Sequence, residues 1–254
     1  MVEFTDLLEH VFIVILCFLP FMDAIILCSC TKQWLNLCTC CKTIELDRSK
    51  FLKQARAHCW TIGIRRYFAF YVRRLLPRFT KPELDCIKLK LHFEMNYCKD
   101  KVFIEKLLAF AAAKKIKELH LDFSDEEIIY LFHRYDTRRD TVESFPSLFN
   151  VTDSLYQVTT LRVLSLGCCG LSNFNFDKKF MQLTSLSFAG MFVTREIVIH
   201  IGSNRPNLEE LSIVDCDVTR VIMQFSSTWL KLKILIIRHA RPYLKGLELF
   251  APNI

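Results

Sequence analysis

Glycine is scarce in this chain, six in 254 residues, and no Walker loop, dinucleotide fingerprint, His-Glu-x-x-His or Gly-x-Ser-x-Gly sequence occurs. Phosphate cradles are built from glycine, and those motifs supply the nucleophiles, bases and metal ligands of common enzyme classes. A catalytic role is therefore not expected. No Lys or Arg precedes Lys32, while Glu3, Asp6 and Glu9 are acidic, so the apolar run from Val11 to Met22 lacks the positive leader of a secretory signal. Pro20 and Asp23 also keep that run short of the roughly 20 apolar residues that span a bilayer. The expectation is a cytoplasmic or nuclear protein without a membrane partner.

Hydrophobic residues make up 52% of the chain, enough for a sizeable core. The net charge of +7 is local: Lys50 to Lys90 holds eleven Lys or Arg against Glu83 and Asp85 alone. A chain-wide nucleic-acid surface is thus not expected. Twelve cysteines without a leader read as thiols of a reducing compartment, which also discounts Asn150-Val151-Thr152 as a glycosylation site. The spacings Cys28-x-Cys30 and Cys38-x-Cys40-Cys41 are not the paired C-x-x-C of common zinc folds. Neither a metal nor another cofactor is expected.

What the chain does have is a recurring frame. Leu161-x-x-Leu164-x-Leu166 returns as Leu183-x-x-Leu186-x-Phe188, Leu208-x-x-Leu211-x-Ile213, Leu232-x-x-Leu235-x-Ile237 and, more faintly, Ile116-x-x-Leu119-x-Leu121. The steps between middle leucines, 22, 25 and 24 residues, fall within the leucine-rich-repeat range of about 20 to 29. Three residues after each clean frame come Cys169, Met191 and Cys216, followed by Leu171, Val193 and Val218, which matches the tail of that repeat. Weaker strand signals sit at Ile87 to Leu91, with helices expected over Phe103 to Ala113 and from Thr194 to Ile201. Leu244-x-x-Leu247-x-Leu249 starts another frame only 12 residues after Leu235, before the chain stops at Ile254, and the expectation is either a truncated end or a divergent gene model.

In a strand, residues two apart share a face. With the frame's leucines inward, the outward residues are Glu118, His120 and Asp122; Val163, Ser165 and Gly167; Ser185, Ser187 and Ala189; Glu210, Ser212 and Val214; and Ile234, Ile236 and Arg238. This face is the expected binding surface for a protein target, with Glu118, His120, Asp122, Ser165, Ser187, Glu210, Ser212, Ile234, Ile236 and Arg238 as its candidates. The trio Glu118, His120 and Asp122 could pass for acid-base machinery, but a solvated strand row explains it more simply.

Before the repeats, Leu7, Val11, Ile15 and Phe18 or Leu19 fall at helical spacing up to Pro20, Asp23 suits the first turn of a second helix, and Thr31 is a candidate N-cap for a third carrying Trp34 and Leu37. From Lys50 to Phe79 the pattern is helical again, with aromatics on one face and arginines largely off it. The stretch Asp6 to Cys38, with Ile15-Leu16-x-Phe18-Leu19-Pro20, Asp23-Ala24 and Lys32-x-Trp34 in register, resembles the F-box of plant F-box/leucine-rich-repeat proteins. It departs from them at Leu8, where the family has a proline, and at Gln33, where it has an arginine.

The resemblance implies an α/β fold: a three-helix F-box over residues 1–45, a helical linker over 46–85, and a leucine-rich-repeat solenoid over 86–254. It implies docking of Leu7, Val11, Ile15, Leu16, Leu19 and Pro20 to a Skp-type adaptor, and through it to a cullin, with the solenoid capturing a substrate for ubiquitination. Two other readings are a freestanding repeat scaffold whose degenerate F-box caps the solenoid, and an RNA-associated protein using Arg65 to Arg78.

Overall fold

A computed structural model describes residues 4–29, 42–48, 68, 70–80, 88–93, 101–124, 150–151, 154–171, 180–194, 197–199, 201, 207–218, 223–224, 231–238 and 247–248. Two helices open the chain, α1 (Phe4–Phe18) and α2 (Phe21–Ser29). Pro20 separates them, and its carbonyl accepts the N–H of Ala24 at 3.0 Å to start α2. The expected third helix near Trp34 lies outside the described residues, as do the charged segment 125–149 and most of the basic stretch. Residues 70–75 are helical and run into a 3-10 helix, Leu76–Thr80, that contains Pro77.

Strands β1 (Thr43–Asp47), β2 (Lys88–His92), β3 (Glu118–Asp122), β4 (Val163–Gly167), β5 (Ser185–Ala189) and β6 (Glu210–Val214) follow, with α3 (Lys101–Ala113) between β2 and β3. After them come β7 (Met223–Gln224), β8 (Ile234–Arg238) and β9 (Leu247–Glu248). Six of the first strands and β8 form one parallel sheet in the order β1-β2-β3-β4-β5-β6-β8. The strand β1 was not anticipated, and it runs across the 45/46 boundary read from the sequence. Its signal is the short alternation of Ile44 and Leu46 with polar residues, which is too brief to stand out without its neighbours. The late frame at Leu247 does not extend this sheet, because β9 pairs with β7 instead.

Every pairing in the main sheet is without offset, so equivalent positions lie side by side. One inward row is Ile44, Leu89, Leu119, Leu164, Leu186, Leu211 and Leu235, and the other is Leu46, Leu91, Leu121, Leu166, Phe188, Ile213 and Ile237. Those from β1 to β6 are almost fully buried, while Leu235 and Ile237 of the last strand are half-buried. A parallel sheet covered on both faces reads as continuous apolar strands. Here polar and apolar residues alternate because the connecting segments pack on one side: Phe103, Ile104, Leu107, Leu108 and Ala111 of α3 join the same core as the inward leucines.

Two backbone devices repeat with the strands. The residue before each strand offers one carbonyl to two N–H groups of the next: Lys117 to Arg162 and Val163, Arg162 to Thr184 and Ser185, Thr184 to Glu209 and Glu210, and Glu209 to Lys233 and Ile234, at 2.8 and 3.0 Å in each case. The residue after β4, β5 and β6 takes a left-handed conformation, at Cys168 (φ 49°), Gly190 (φ 60°) and Asp215 (φ 52°). That turn throws Cys169, Met191 and Cys216 into the core. Burial pushes the Cys169 thiol up, and pushes that of Cys216 up to about 12, so these sulfurs act as small hydrophobes.

The core also takes in the N-terminal helices. Phe21, Met22, Ala24, Ile25 and Cys28 of α2 are buried, α2 packs on β1, and the Phe21 ring lies 5.9 Å from that of Phe79.

Leu164→Ala is expected to cost about 2–5 kcal/mol in denaturant titrations, whereas outward Ser187→Ala stays within about 0.5 kcal/mol. Gly190→Ala is expected to lower the midpoint as well, since a Cβ there meets Cys168 Sγ at 2.8 Å and sits at positive φ, a strain of roughly 1–3 kcal/mol.

Candidate functional site

Two surfaces stand out, one on α1 and one on the open face of the sheet. From Val11 to Phe18 helix α1 is apolar all round. Phe12 and Leu19 are half-buried against the core and Leu16 is 1% exposed, so the face at 12, 16 and 19 turns inward. The opposite face carries Val11, Val14, Ile15 and Phe18, spaced i, i+3, i+4 and i+7, all exposed, with Phe18 at 85%. Of the residues expected to dock an adaptor, Val11 and Ile15 are thus presented and Pro20 is exposed, while Leu19 is half-buried. Leu16 is not presented: it fills this chain's own core, because the inward stripe needs a large residue one turn after Phe12. Leu7 lies on α1 with its side chain outside the described residues. Val14 and Phe18 were not among the expected docking residues, and the helical period through Val11 and Ile15 places them on the same exposed face.

On the sheet, the outward residues read from the frames lie on one face in three rows. Val163, Ser185, Glu210 and Ile234 follow Glu118; Ser165, Ser187, Ser212 and Ile236 follow His120; Gly167, Ala189, Val214 and Arg238 follow Asp122. The structure adds Lys88, Lys90 and His92 of β2, and Thr43, Glu45 and Asp47 of β1, to the same rows. The face is therefore charged at β1 to β3, short-chained at β4 to β6 apart from Glu210, and carries Ile234 and Ile236 beside Arg238 at β8.

Within the charged part most groups are engaged. Lys88 Nζ lies 2.7 Å from Glu118 Oε2, and this hydrogen bond holds the Glu118 carboxyl below its usual range. Asp122 accepts the Ser124 N–H at 2.9 Å through Oδ1, and its Oδ2 is 3.6 Å from His92 Nδ1. The Asp122 carboxylate also leans across β4: a Cβ on Gly167 would meet Oδ1 at 2.8 Å, which explains glycine there. His120 differs. Its Nε2 is buried and has no hydrogen-bond partner among the described residues, with Glu118 Oε2 3.9 Å away. Desolvation, reinforced by the charges of Lys88 and Lys90 and opposed by Glu118, holds its pKa below 6.5. Lys90 makes no ion pair among the described residues.

Among the described residues no group of three His, Cys, Asp or Glu is placed to hold a metal ion, and no helix is long and apolar enough to cross a membrane. Of the basic stretch, Arg73 and Arg74 are described and exposed, with the Arg74 guanidinium 5.6 Å above the Phe70 ring.

Comparison with known proteins bears on the helices and the sheet together. The chain is similar to plant F-box proteins. One Arabidopsis thaliana protein so named is 25% identical over 219 residues, covering 85% of this chain and 43% of the relative. Another is 22% identical over 212 residues, covering 84% and 43%. The chain thus spans less than half the length of these relatives. No protein-family model matches it, and no solved structure does. The similarity covers too much of the chain to rest on the N-terminal helices alone.

A neutral His120 makes stability fall as pH drops below 6.5, because the unfolded chain then takes up a proton that the folded one refuses, until the pH passes the lower folded pKa. His120→Gln is expected to flatten that slope, read as the denaturant midpoint from pH 7 downward.

Proposed function

We propose that this chain is a substrate-recognition adaptor of an SCF-type ubiquitin ligase. In this reading α1 and α2 belong to an F-box that docks to a Skp-type adaptor, and through it to a cullin, while the in-register parallel sheet is the strand layer of a leucine-rich-repeat solenoid that binds a protein target. The chain itself performs no catalysis; ubiquitin transfer belongs to the enzyme the complex recruits, in the cytoplasm or nucleus. The observation that carries the reading is the exposed stripe Val11, Val14, Ile15 and Phe18 on the segment that resembles an F-box, in a chain similar to F-box proteins. Apolar side chains at helical spacing on an exposed face are what a helix uses to seat in a partner's groove.

The burial of Leu16 favours a second reading. A helix pair that shares its core with β1 also serves as a cap on the end of the sheet, as repeat arrays require. In that case the chain is a freestanding interaction scaffold.

Co-purification with a Skp-type adaptor separates the two. Binding at micromolar concentration is expected, and Val14→Asp or Phe18→Asp should abolish it with the thermal midpoint unchanged, while Leu16→Asp should lower that midpoint. A folded chain that leaves the adaptor unbound at this concentration rules out the ligase reading and leaves the scaffold.

A further inference from the structure

We infer that the basic segment before β2 carries a binding site for single-stranded nucleic acid on the outer face of the helix at residues 70–75, where Phe70 and Arg74 stack a base and Arg73 holds a phosphate. This goes beyond the adaptor reading and does not depend on it.

Charge sets the class of partner. Between Asp47 and Glu83 the sequence has ten Lys or Arg and no acidic residue. Positive charge at that density, with no counter-charge in the same stretch, is the electrostatic footprint of a polyanion site. Neither Arg73 nor Arg74 has an ion-pair partner among the described residues.

The fold sorts the described part of this segment into two faces. Phe68, Val72, Leu75, Leu76 and Phe79 are buried, with the Phe68 ring 5.6 Å from that of Phe93 and the Phe79 ring 5.9 Å from that of Phe21. These contacts fix the helix on the core and leave Phe70, Arg73, Arg74 and Pro77, spaced i, i+3, i+4 and i+7, exposed on the other side. Core packing accounts for the inward aromatics but not for Phe70, which is 54% exposed.

The Arg74 guanidinium lies 5.6 Å from the centroid of the Phe70 ring, so two flat groups stand together in a basic setting. The bases of a single strand stack on aromatic rings and on guanidinium planes alike, and Arg73 on the same face supplies the donors for a phosphate. A duplex keeps its bases stacked on one another and meets only the charge. An acidic polypeptide likewise uses the arginines and leaves Phe70 unexplained.

The test is fluorescence anisotropy of the full chain with a labelled oligouridylate of about 12 nucleotides, set against a duplex of the same length and against polyglutamate as competitor. The single strand is expected to bind, with an affinity that falls steeply as salt rises. Arg73→Gln should lower the slope of log K against log salt by about 0.7, the value of one phosphate contact on a single strand. Phe70→Ala should cost roughly tenfold in affinity with the slope unchanged, and Phe70→Trp should retain binding. Both positions are exposed, so the thermal midpoint should hold and loss of binding is distinct from loss of fold. The inference is overturned if the single strand does not bind, if the duplex or polyglutamate binds as well as it does, or if Phe70→Ala leaves its affinity unchanged. Failure of adaptor docking bears on the ligase reading alone, and failure here bears on the nucleic-acid site alone.

Discussion

Absence of offset between neighbouring strands is the constraint on which this molecule depends. Two inward side chains per strand, repeated seven times, stack into continuous apolar rows. A slip of one residue would turn every leucine to water. The carbonyls of Lys117, Arg162, Thr184 and Glu209, which precede β3, β4, β5 and β6, fix the same alignment from the backbone side, because each accepts two N–H groups at the start of the neighbouring strand. Side chains and main chain therefore specify one register twice, and the outward rows inherit their order from it.

Much of this was legible because the frame encodes it locally. The leucines at 164, 186, 211 and 235 mark four strands and their inward faces, and the outward residues follow by alternation. The two weak ends of the sheet were harder. Strand β1 has only Ile44 and Leu46 as its apolar signal, and its place is decided by β2 and by α2 packing on it, which are contacts no local pattern contains. The orientation of α1 was likewise hidden. The stretch from Val11 to Phe18 is apolar on every side and gives no angle from which to choose, so burial of Leu16 and exposure of Phe18 are set by tertiary contacts. The engagement of Lys88 depends on one cross-strand distance, 2.7 Å to Glu118.

The N-terminal helices serve two demands with one segment. Positions 12, 16 and 19 of the chain close the core next to the first strands, and positions 11, 14, 15 and 18 remain for a partner. A short helical unit has too little volume to bury both faces itself. Leaning one face on the sheet lets the other stay apolar in water, where free-standing helices of this length would lose order. Similarity to F-box proteins extends over 85% of the chain, well beyond these two helices.

The contact between Asp122 and Gly167 has an evolutionary meaning. Outward positions on the sheet carry little of the fold's stability, so most can change one at a time as the recognised partner changes. Gly167 cannot, since any side chain there strikes the Asp122 carboxylate, which is itself held by the Ser124 N–H. These two sites form a linked pair with epistasis between them, where loss of the aspartate must come first and gain of a side chain on β4 second. Elsewhere on the face no such contact ties one outward position to its neighbour among the glycines described, but along this one seam the order of substitution matters.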